Sequence, residues 1–518
     1  MSPFVVAAAT AMLLGFLYAV KSRRRTSNKL PPSPPSLPLL GHLHLIGHLR
    51  HRSLHELYLR YGGGDGLLLL QLGRRRTLVV STAAAAADLF RNHDLAFASR
   101  PRNPAADKQQ YGSGNISFSP YGDLWRRAKK IAVVHLLSPR RVESFAPVRA
   151  AEAAALVART ARRAGHGEAV ELRELLYGYT NAVVTRAAAG AGGAAAERLK
   201  RLLGPSASST LVAGFQAEDV LPAAAARLLR WATGLERKLD AMVAEWDKFL
   251  AEIVAEHMEK KRGEEDDDDF LDVLLRLREE EEGGDGLELT DDGVKSIVKD
   301  MIAAATETTS VTLEWAMAEL VRNPPVMAKL QDEIALVAGA AEHTIADAEL
   351  ERMGYLRAVV KEVLRLHPPA PLLLPHESTA AAAVRGYEIP AKTALFVNAW
   401  AIGRDPAAWD APEEFRPERF LAGGGGGVPP ADFRGGRLPA PPVRRRPADV
   451  PRHKLRDARR GARARQPPAP LRLVAPRRRE PGRPGHGRGA GAGDAAAGSP
   501  CPLPEVQEDA CLGSAACR

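Results

Sequence analysis

Apolar residues recur at helical spacing along most of this chain, and the longest such run organises the rest. Between Thr290 and Pro324, the residues Val294, Ile297, Val298, Met301, Ile302, Ala305, Leu313, Ala316, Met317 and Leu320 follow a 3.6-residue period. Thr290 suits an N-cap, Asp291 and Asp292 put negative charge in the first turn, and Asn323-Pro324-Pro325 stops the helix. At a rise of roughly 1.5 Å per residue the helix is about 50 Å long, enough to cross a domain. The same periodicity predicts helices over 83–92, 124–137, 142–164, 172–189, 228–262 and 355–367, and a short amphipathic one over 269–275. Strands are predicted at 67–72 and 77–81, a hairpin around Gly73-Arg74-Arg75-Arg76, and at 384–389 and 394–398. Residues 263–269 (GEEDDDD) and 279–286 are acidic, glycine-bearing and expected to be exposed loops. The class is mainly α with small β-sheets (α+β).

The middle of the long helix breaks its own pattern. Ala303-Ala304-Ala305 runs into Thr306-Glu307-Thr308-Thr309-Ser310, four hydroxyls and an acid where a buried helix is normally apolar. Hydroxyls there can bond back to the carbonyl four residues earlier and bend the helix. A wall of small residues beside an acid and a hydroxyl can seat a small ligand and hand it protons. The same residues also suit ordinary core threonines beside one solvated glutamate. Further on, Glu362 and Arg365 stand three apart on one helix face. Val359, Val363 and Leu366 surround them, which argues for a partly buried pair in need of a third partner. Arg419, in Phe415-Arg416-Pro417-Glu418-Arg419-Phe420, offers a guanidinium able to complete that network through planar bidentate bonds.

Charge and the two ends change the picture. The net charge of +10 invites a nucleic-acid reading, but residues 434–518 hold 18 Arg, one Lys and seven acids, a net +12 that leaves the rest at −2. Those arginines lack interleaved aromatics, so no nucleic-acid partner is expected. Residues 4–20 carry no charge, and Lys21, Arg23, Arg24 and Arg25 follow them. That order predicts an uncleaved N-terminal anchor (1–25) with everything downstream in the cytosol; a cleaved signal peptide is the alternative. A proline-rich hinge (26–38) follows, expected to be a stiff extended spacer between the membrane and the domain.

These features in this order resemble a plant microsomal cytochrome P450, a haem-thiolate monooxygenase, nearest the flavonoid-modifying branch of flavone synthases and flavanone hydroxylases. The resemblance covers roughly residues 1–433 and rests on the anchor and hinge, Trp125 with Lys129, Ala304-Ala305-Thr306-Glu307-Thr308-Thr309, Lys361-Glu362-Val363-Leu364-Arg365, and Pro417-Glu418-Arg419-Phe420. It implies a P450-like helical domain (39–433) with the long helix over the distal face of a haem. Ala304 and Ala305 would line the oxygen groove, Glu307 and Thr308 would relay protons, and Trp125 and Lys129 would hold a haem propionate. Glu362, Arg365 and Arg419 would form the core network behind the proximal side. It further implies dioxygen, a lipophilic small-molecule substrate, electrons from an NADPH-dependent reductase, and the endoplasmic reticulum membrane with the catalytic domain cytosolic. Ala305 stands where the family usually has Gly, and Lys129 where it often has Arg.

One departure is severe. The family's loop Phe-x-x-Gly-x-Arg-x-Cys-x-Gly should follow Phe420 and does not. The cysteines are Cys501, Cys511 and Cys517; before Cys511, the Phe, Gly and Arg positions hold Pro504, Gln507 and Asp509. The expected metal ligand is therefore absent. From Arg434 to Pro500, 51 of 67 residues are Arg, Pro, Ala or Gly, so the tail (434–518) is expected to be disordered. The composition suits a GC-rich coding sequence read out of frame from about Gly435. The alternative to an active enzyme is a haem-free degenerate pseudoenzyme or the product of such a frameshift.

Overall fold

Five leucines in six residues make the first strand, and alternation gives it two dry faces. In β1 (Leu67–Leu72), Leu67 and Leu69 join Leu78 and Val80 in one core, while Leu68, Leu70 and Leu72 join Val79, Leu54 and Leu57 in another. β1 pairs antiparallel with β2 (Arg75–Val80), Leu72 opposite Arg75, so Gly73-Arg74 alone forms the turn and Arg75 and Arg76 belong to the ladder. β3 (His376–Glu377), β4 (Ala382–Val384), β5 (Tyr387–Ile389) and β6 (Ala394–Val397) follow. The larger sheet has the order β1-β2-β6-β3, with β2 and β6 parallel, Thr77 opposite Ala394. The strand expected over 384–389 is instead a hairpin, because Arg385 and Gly386 both take positive φ (49° and 84°) and turn the chain between β4 and β5.

The computed structural model describes residues 30–421 except 113, 191, 204–220, 222, 260–268, 282–288 and 340–344. The expected anchor, the acidic stretches 263–268 and 282–286, and the tail 434–518 lie outside the described residues. Among the described residues no helix is long and apolar enough to cross a membrane. The described part of the hinge lies on the domain: Leu69 N–H donates to Pro32 O at 2.8 Å, and the His42 ring meets Pro34 O at 2.9 Å.

The helices that carry the argument are α1 (Pro104–Gln109), α2 (Asp123–His135), α3 (Leu172–Ala189), α4 (Leu235–Glu259), α5 (Phe270–Glu281), α6 (Asp291–Arg322), α7 (Pro324–Ala338) and α8 (Gly354–Leu366). α6 begins where the sequence predicts, with Thr290 Oγ1 accepting from Gly293 N–H at 3.1 Å. Two expected helices are each split. Pro147 blocks continuation, so 142–164 falls into Pro139–Ser144 and Ala146–Gly165; Gly234, at φ 69°, divides 228–262 into Ala223–Ala232 and α4. Pro324 and Pro325 stop α6 and also start α7, where the first turn needs no proline N–H.

The first half of α6 is the axis of the core. Val294, Ile297, Val298 and Ile302 are buried with Trp246 and Phe249 of α4 and Phe270 and Leu274 of α5. Each such side chain removed from water contributes about 1.5–3 kcal/mol. The second half differs from the expected stripe: Leu313, Ala316 and Met317 are only half-buried, and none of residues 311–318 is buried. Its cover is partial: Arg173 of α3 pairs with Glu314 at 2.9 Å, and the Trp315 ring stacks on His367 at 3.6 Å.

Candidate functional site

The polar centre of α6 arranges its hydroxyls in two ways. Thr308 Oγ1 donates to Ala304 O at 2.7 Å, Ser310 Oγ to Glu307 O at 2.9 Å and Thr312 Oγ1 to Thr308 O at 2.8 Å. These back-bonds compete with the helical ladder, as expected from sequence. Thr306 is fully buried and its hydroxyl has no partner among the described residues. Glu307 is 9% exposed, and among the described residues its carboxyl has no hydrogen bond or ion pair. Burial pushes it up to about 8, so at neutral pH it is mostly protonated. The solvated glutamate that the sequence also allowed is thereby set aside. Ala304 is buried and Ala305 half-buried beside them. Glu307 and Thr308 are not bonded to each other; the Glu307 charge acts on Tyr177 of α3, whose hydroxyl burial pushes far up.

One turn earlier, three side chains of α6 hold the segment leading from α1 towards α2. Ser296 Oγ donates to Gln110 O at 3.1 Å, Lys299 Nζ to Gln109 O at 2.8 Å, and the Asp300 carboxyl accepts the N–H groups of Ile116 and Ser117, both at 3.1 Å. Ile116 O in turn accepts from Trp125 Nε1 at 2.9 Å, and Lys129 Nζ lies 4.7 Å from the centre of the Trp125 ring. One hydrogen-bonded path thus runs from α2 to α6 through Ile116. Burial lowers Lys299 to about 7 and raises Asp300. Lys299 and Asp300 were not singled out from sequence, although two adjacent charges inside an apolar helical run are a legible signal. Arg100, also missed, is buried and donates to Pro375 O at 3.1 Å.

Glu362, Arg365 and Arg419 meet in a separate network. Arg365 grips the Glu362 carboxylate with two bonds, Nε to Oε2 at 2.7 Å and Nη2 to Oε1 at 2.8 Å. Arg419 Nε reaches Oε1 at 3.0 Å, and the Arg416 backbone N–H reaches the same oxygen at 2.8 Å. The remaining guanidinium donors go to the carbonyls of Gly403, Pro412 and Glu414 from Arg365, and of Asp410, Ala411 and Glu414 from Arg419. Trp409 lies against both, 5.3 and 6.0 Å from their centres. A buried carboxylate with two guanidiniums pins a loop that has almost no secondary structure of its own.

The donor set tests the expected haem. On the long helix the residues present suit it, with small side chains at Ala304 and Ala305 and a buried acid, and on α2 Lys129 offers a cation beside Trp125. On the axial side they do not, because no cysteine occurs before Cys501 and the described residues contain no thiol. The described residues therefore do not make a haem-thiolate site.

Residues 31–434 match the family model for cytochrome P450. The chain is similar to salviol synthase from Salvia pomifera, 41% identical over 416 residues covering 78% of this chain and 79% of that protein. It is 39% identical to (+)-menthofuran synthase from Mentha piperita over 414 residues, 79% of this chain and 81% of that one. Among solved structures it resembles a zebra fish cytochrome P450 with abiraterone, at TM-score 0.59 and 26% identity, covering 72% of this chain and 82% of the other.

Proposed function

This chain belongs to the cytochrome P450 family of monooxygenase enzymes, and from that premise we propose that its helical body, once completed by an axial cysteine, adds one oxygen atom of dioxygen to a lipophilic small molecule. The family implies haem and electrons supplied by a redox partner; in this reading the partner is an NADPH-dependent reductase. Residues 4–20 then anchor the protein in the endoplasmic reticulum membrane with the body in the cytosol. A thiolate-bound haem would supply the oxygen-activating chemistry.

The chain's own residues handle protons and position. The observation that carries the reading is a lone buried carboxyl, Glu307, holding its proton beside the back-bonded hydroxyl of Thr308 and the small residues Ala304 and Ala305. A group titrating near neutrality is suited to giving and regaining a proton. Asp300, Ser296 and Lys299, earlier on the same helix, hold the backbone of Gln109, Gln110, Ile116 and Ser117. Glu362 with Arg365 and Arg419 fixes the 403–419 segment. In a frame-restored, haem-loaded protein, Thr308→Ala should lower product formed per electron pair roughly tenfold while electron consumption continues. Unchanged coupling would retire the relay.

The substrate is read as lipophilic because the relatives named above make salviol and menthofuran. The narrower flavonoid reading rests on resemblance alone, since the apolar segment 371–375 suits an aromatic or a terpenoid-like ligand alike. There Leu372 and Leu374 are buried, Leu372 in the core beneath the sheet, which leaves Leu373 as the half-buried leucine. A panel of flavanones and terpenoids offered to the restored enzyme tests it; no flavanone turned over would remove the flavonoid branch.

A second reading has its own observation, the lack of any cysteine before Cys501. The chain as it stands is then a haem-free pseudoenzyme or a frameshifted product. Reduced, carbon-monoxide-treated membranes containing this chain should show no thiolate-haem band, and a band would defeat this second reading. Transcript sequencing across codons 430–450 separates frameshift from degenerate copy.

A further inference from the structure

The His257 ring sits between two oxygen atoms. Its Nδ1 lies 2.7 Å from the carbonyl oxygen of Ile253, one turn earlier on α4, and its Nε2 lies 2.8 Å from Oδ2 of Asp269, the residue before α5. Both oxygens are acceptors, so both bonds form only if both ring nitrogens carry hydrogen. Between a carboxyl and an imidazole the shared proton stays on the imidazole, the stronger base by roughly two to three pH units. Asp269 is an acceptor on its other oxygen too. Its Oδ1 takes the Asp272 N–H at 3.0 Å, while the Asp272 carboxyl takes the Asp269 N–H at 3.2 Å, a reciprocal cap that starts α5. All three side chains are buried. The end of α3 closes another side: a Cβ at Gly190, φ 55°, would lie 2.3 Å from Asp269 Oδ2 and 3.7 Å from His257 Nε2. A helix C-terminus favours a cation nearby. Other charges on the packed elements are engaged elsewhere. Arg186 of α3 holds Glu152, Arg198 of the helix Ala194–Leu202 holds Glu252, Arg278 of α5 holds Asp291, and Glu256 and Glu259 of α4 are exposed. Burial by itself lowers a histidine. The Asp269 bond and charge, the Ile253 carbonyl and the Asp272 charge outweigh it and raise His257 above the ordinary value of 6.5.

We propose that His257 is a proton-operated clasp: its imidazolium fastens the last turn of α4 to the first turn of α5 beside the end of α3, and losing the proton as pH rises releases the start of α5. A neutral ring has one N–H for two acceptors. Whichever tautomer forms sets a lone pair against Ile253 O or Asp269 Oδ2 and leaves a buried acceptor unpaired. The only bond that changes is one N–H, whose proton goes to solvent. Stability linked to a raised histidine is fully present below about pH 6.5 and is lost as pH climbs through the folded value. What the clasp holds is core, since Phe270, Leu271, Leu274 and Leu275 of α5 are buried with Val294, Ile297 and Val298 of α6. The clasp needs no haem and stands apart from the monooxygenase reading.

Hydrogen exchange of the full chain, read on peptides from the first turns of α5 and corrected for the intrinsic pH dependence of exchange, tests it. Wild-type protection should fall as pH rises through a midpoint above 6.5, by roughly tenfold for each pH unit that His257 is raised. EDTA is present throughout, because ligand atoms of His257, Asp269 and Asp272 lie within 4.8 Å of one another and a metal could take the proton's place. Asp269→Asn keeps the cap and offers a neutral ring a donor, so the step should vanish with protection retained at high pH. His257→Gln cannot titrate and should also lose the step. Gly190→Ala drives a methyl against Asp269 Oδ2 and should bring the midpoint down towards 6.5. Each folded variant carries the test alone if the others fail to fold. A wild-type midpoint at or below 6.5, a step that survives in His257→Gln or Asp269→Asn, or an unmoved midpoint in Gly190→Ala overturns the proposal.

Discussion

Glu307 and Glu362 are both buried glutamates in long helices, and they live in opposite surroundings. Glu362 has two guanidiniums and a backbone N–H on its oxygens. Glu307 has no cation and no donor among the described residues, and only burial acts on it. The first is a fastener: its charge organises the chain from Gly403 to Arg419 and has no freedom to change. The second keeps its proton because nothing pays for losing it, which leaves that proton available. Burial alone does not separate structural from chemical acids; the number of partners does.

The largest effect that could break this contrast comes from Glu362→Gln. It leaves Arg365 and Arg419 buried without a counter-charge, and should cost about 3–5 kcal/mol in urea unfolding. A loss below about 1 kcal/mol would mean the network is ornamental. Glu307→Gln should act in the other direction. Its folded-state carboxyl titrates near 8, above the value of an unfolded glutamate, so the stability linked to its proton is present below about pH 4.5 and is lost as pH rises towards 8. The amide cannot ionise. The variant should therefore match wild type in acid and exceed it by up to about 4 kcal/mol near pH 8. Equal pH dependence of the two melting curves would show that Glu307 is solvated after all. The smallest effect, about 1–2 kcal/mol, belongs to Arg419→Lys, which keeps the charge but loses the fork that reaches Glu362 and three carbonyls at once. A neutral result there would place the network's strength in Arg365 alone.

Legibility in the sequence followed the range of the interaction. α6 was readable from end to end because its cap, its first-turn acids and its stopping prolines all lie within a few residues of its ends. Glu362 with Arg365 was readable because three residues on a helix make neighbours. The β4–β5 hairpin was not, since Arg385 has no preference for positive φ and is held there by strand pairing. Tyr177 carried no signal, because its meaning comes from α3 lying antiparallel to α6.

What the order of residues determined by itself was the set of elements, the hydroxyl-and-acid interruption of the long helix, and the lack of a thiol before Cys501. Local rules of spacing, capping and side-chain chemistry are enough for those. Tertiary structure alone decided which acid is neutral and which is clamped, that Ile116 links α2 to α6, and that residues 311–318 stay half-uncovered while the first half of the same helix is core. The reason is that desolvation and partner count are properties of whatever packs alongside, and those neighbours come from chain segments tens to hundreds of residues away.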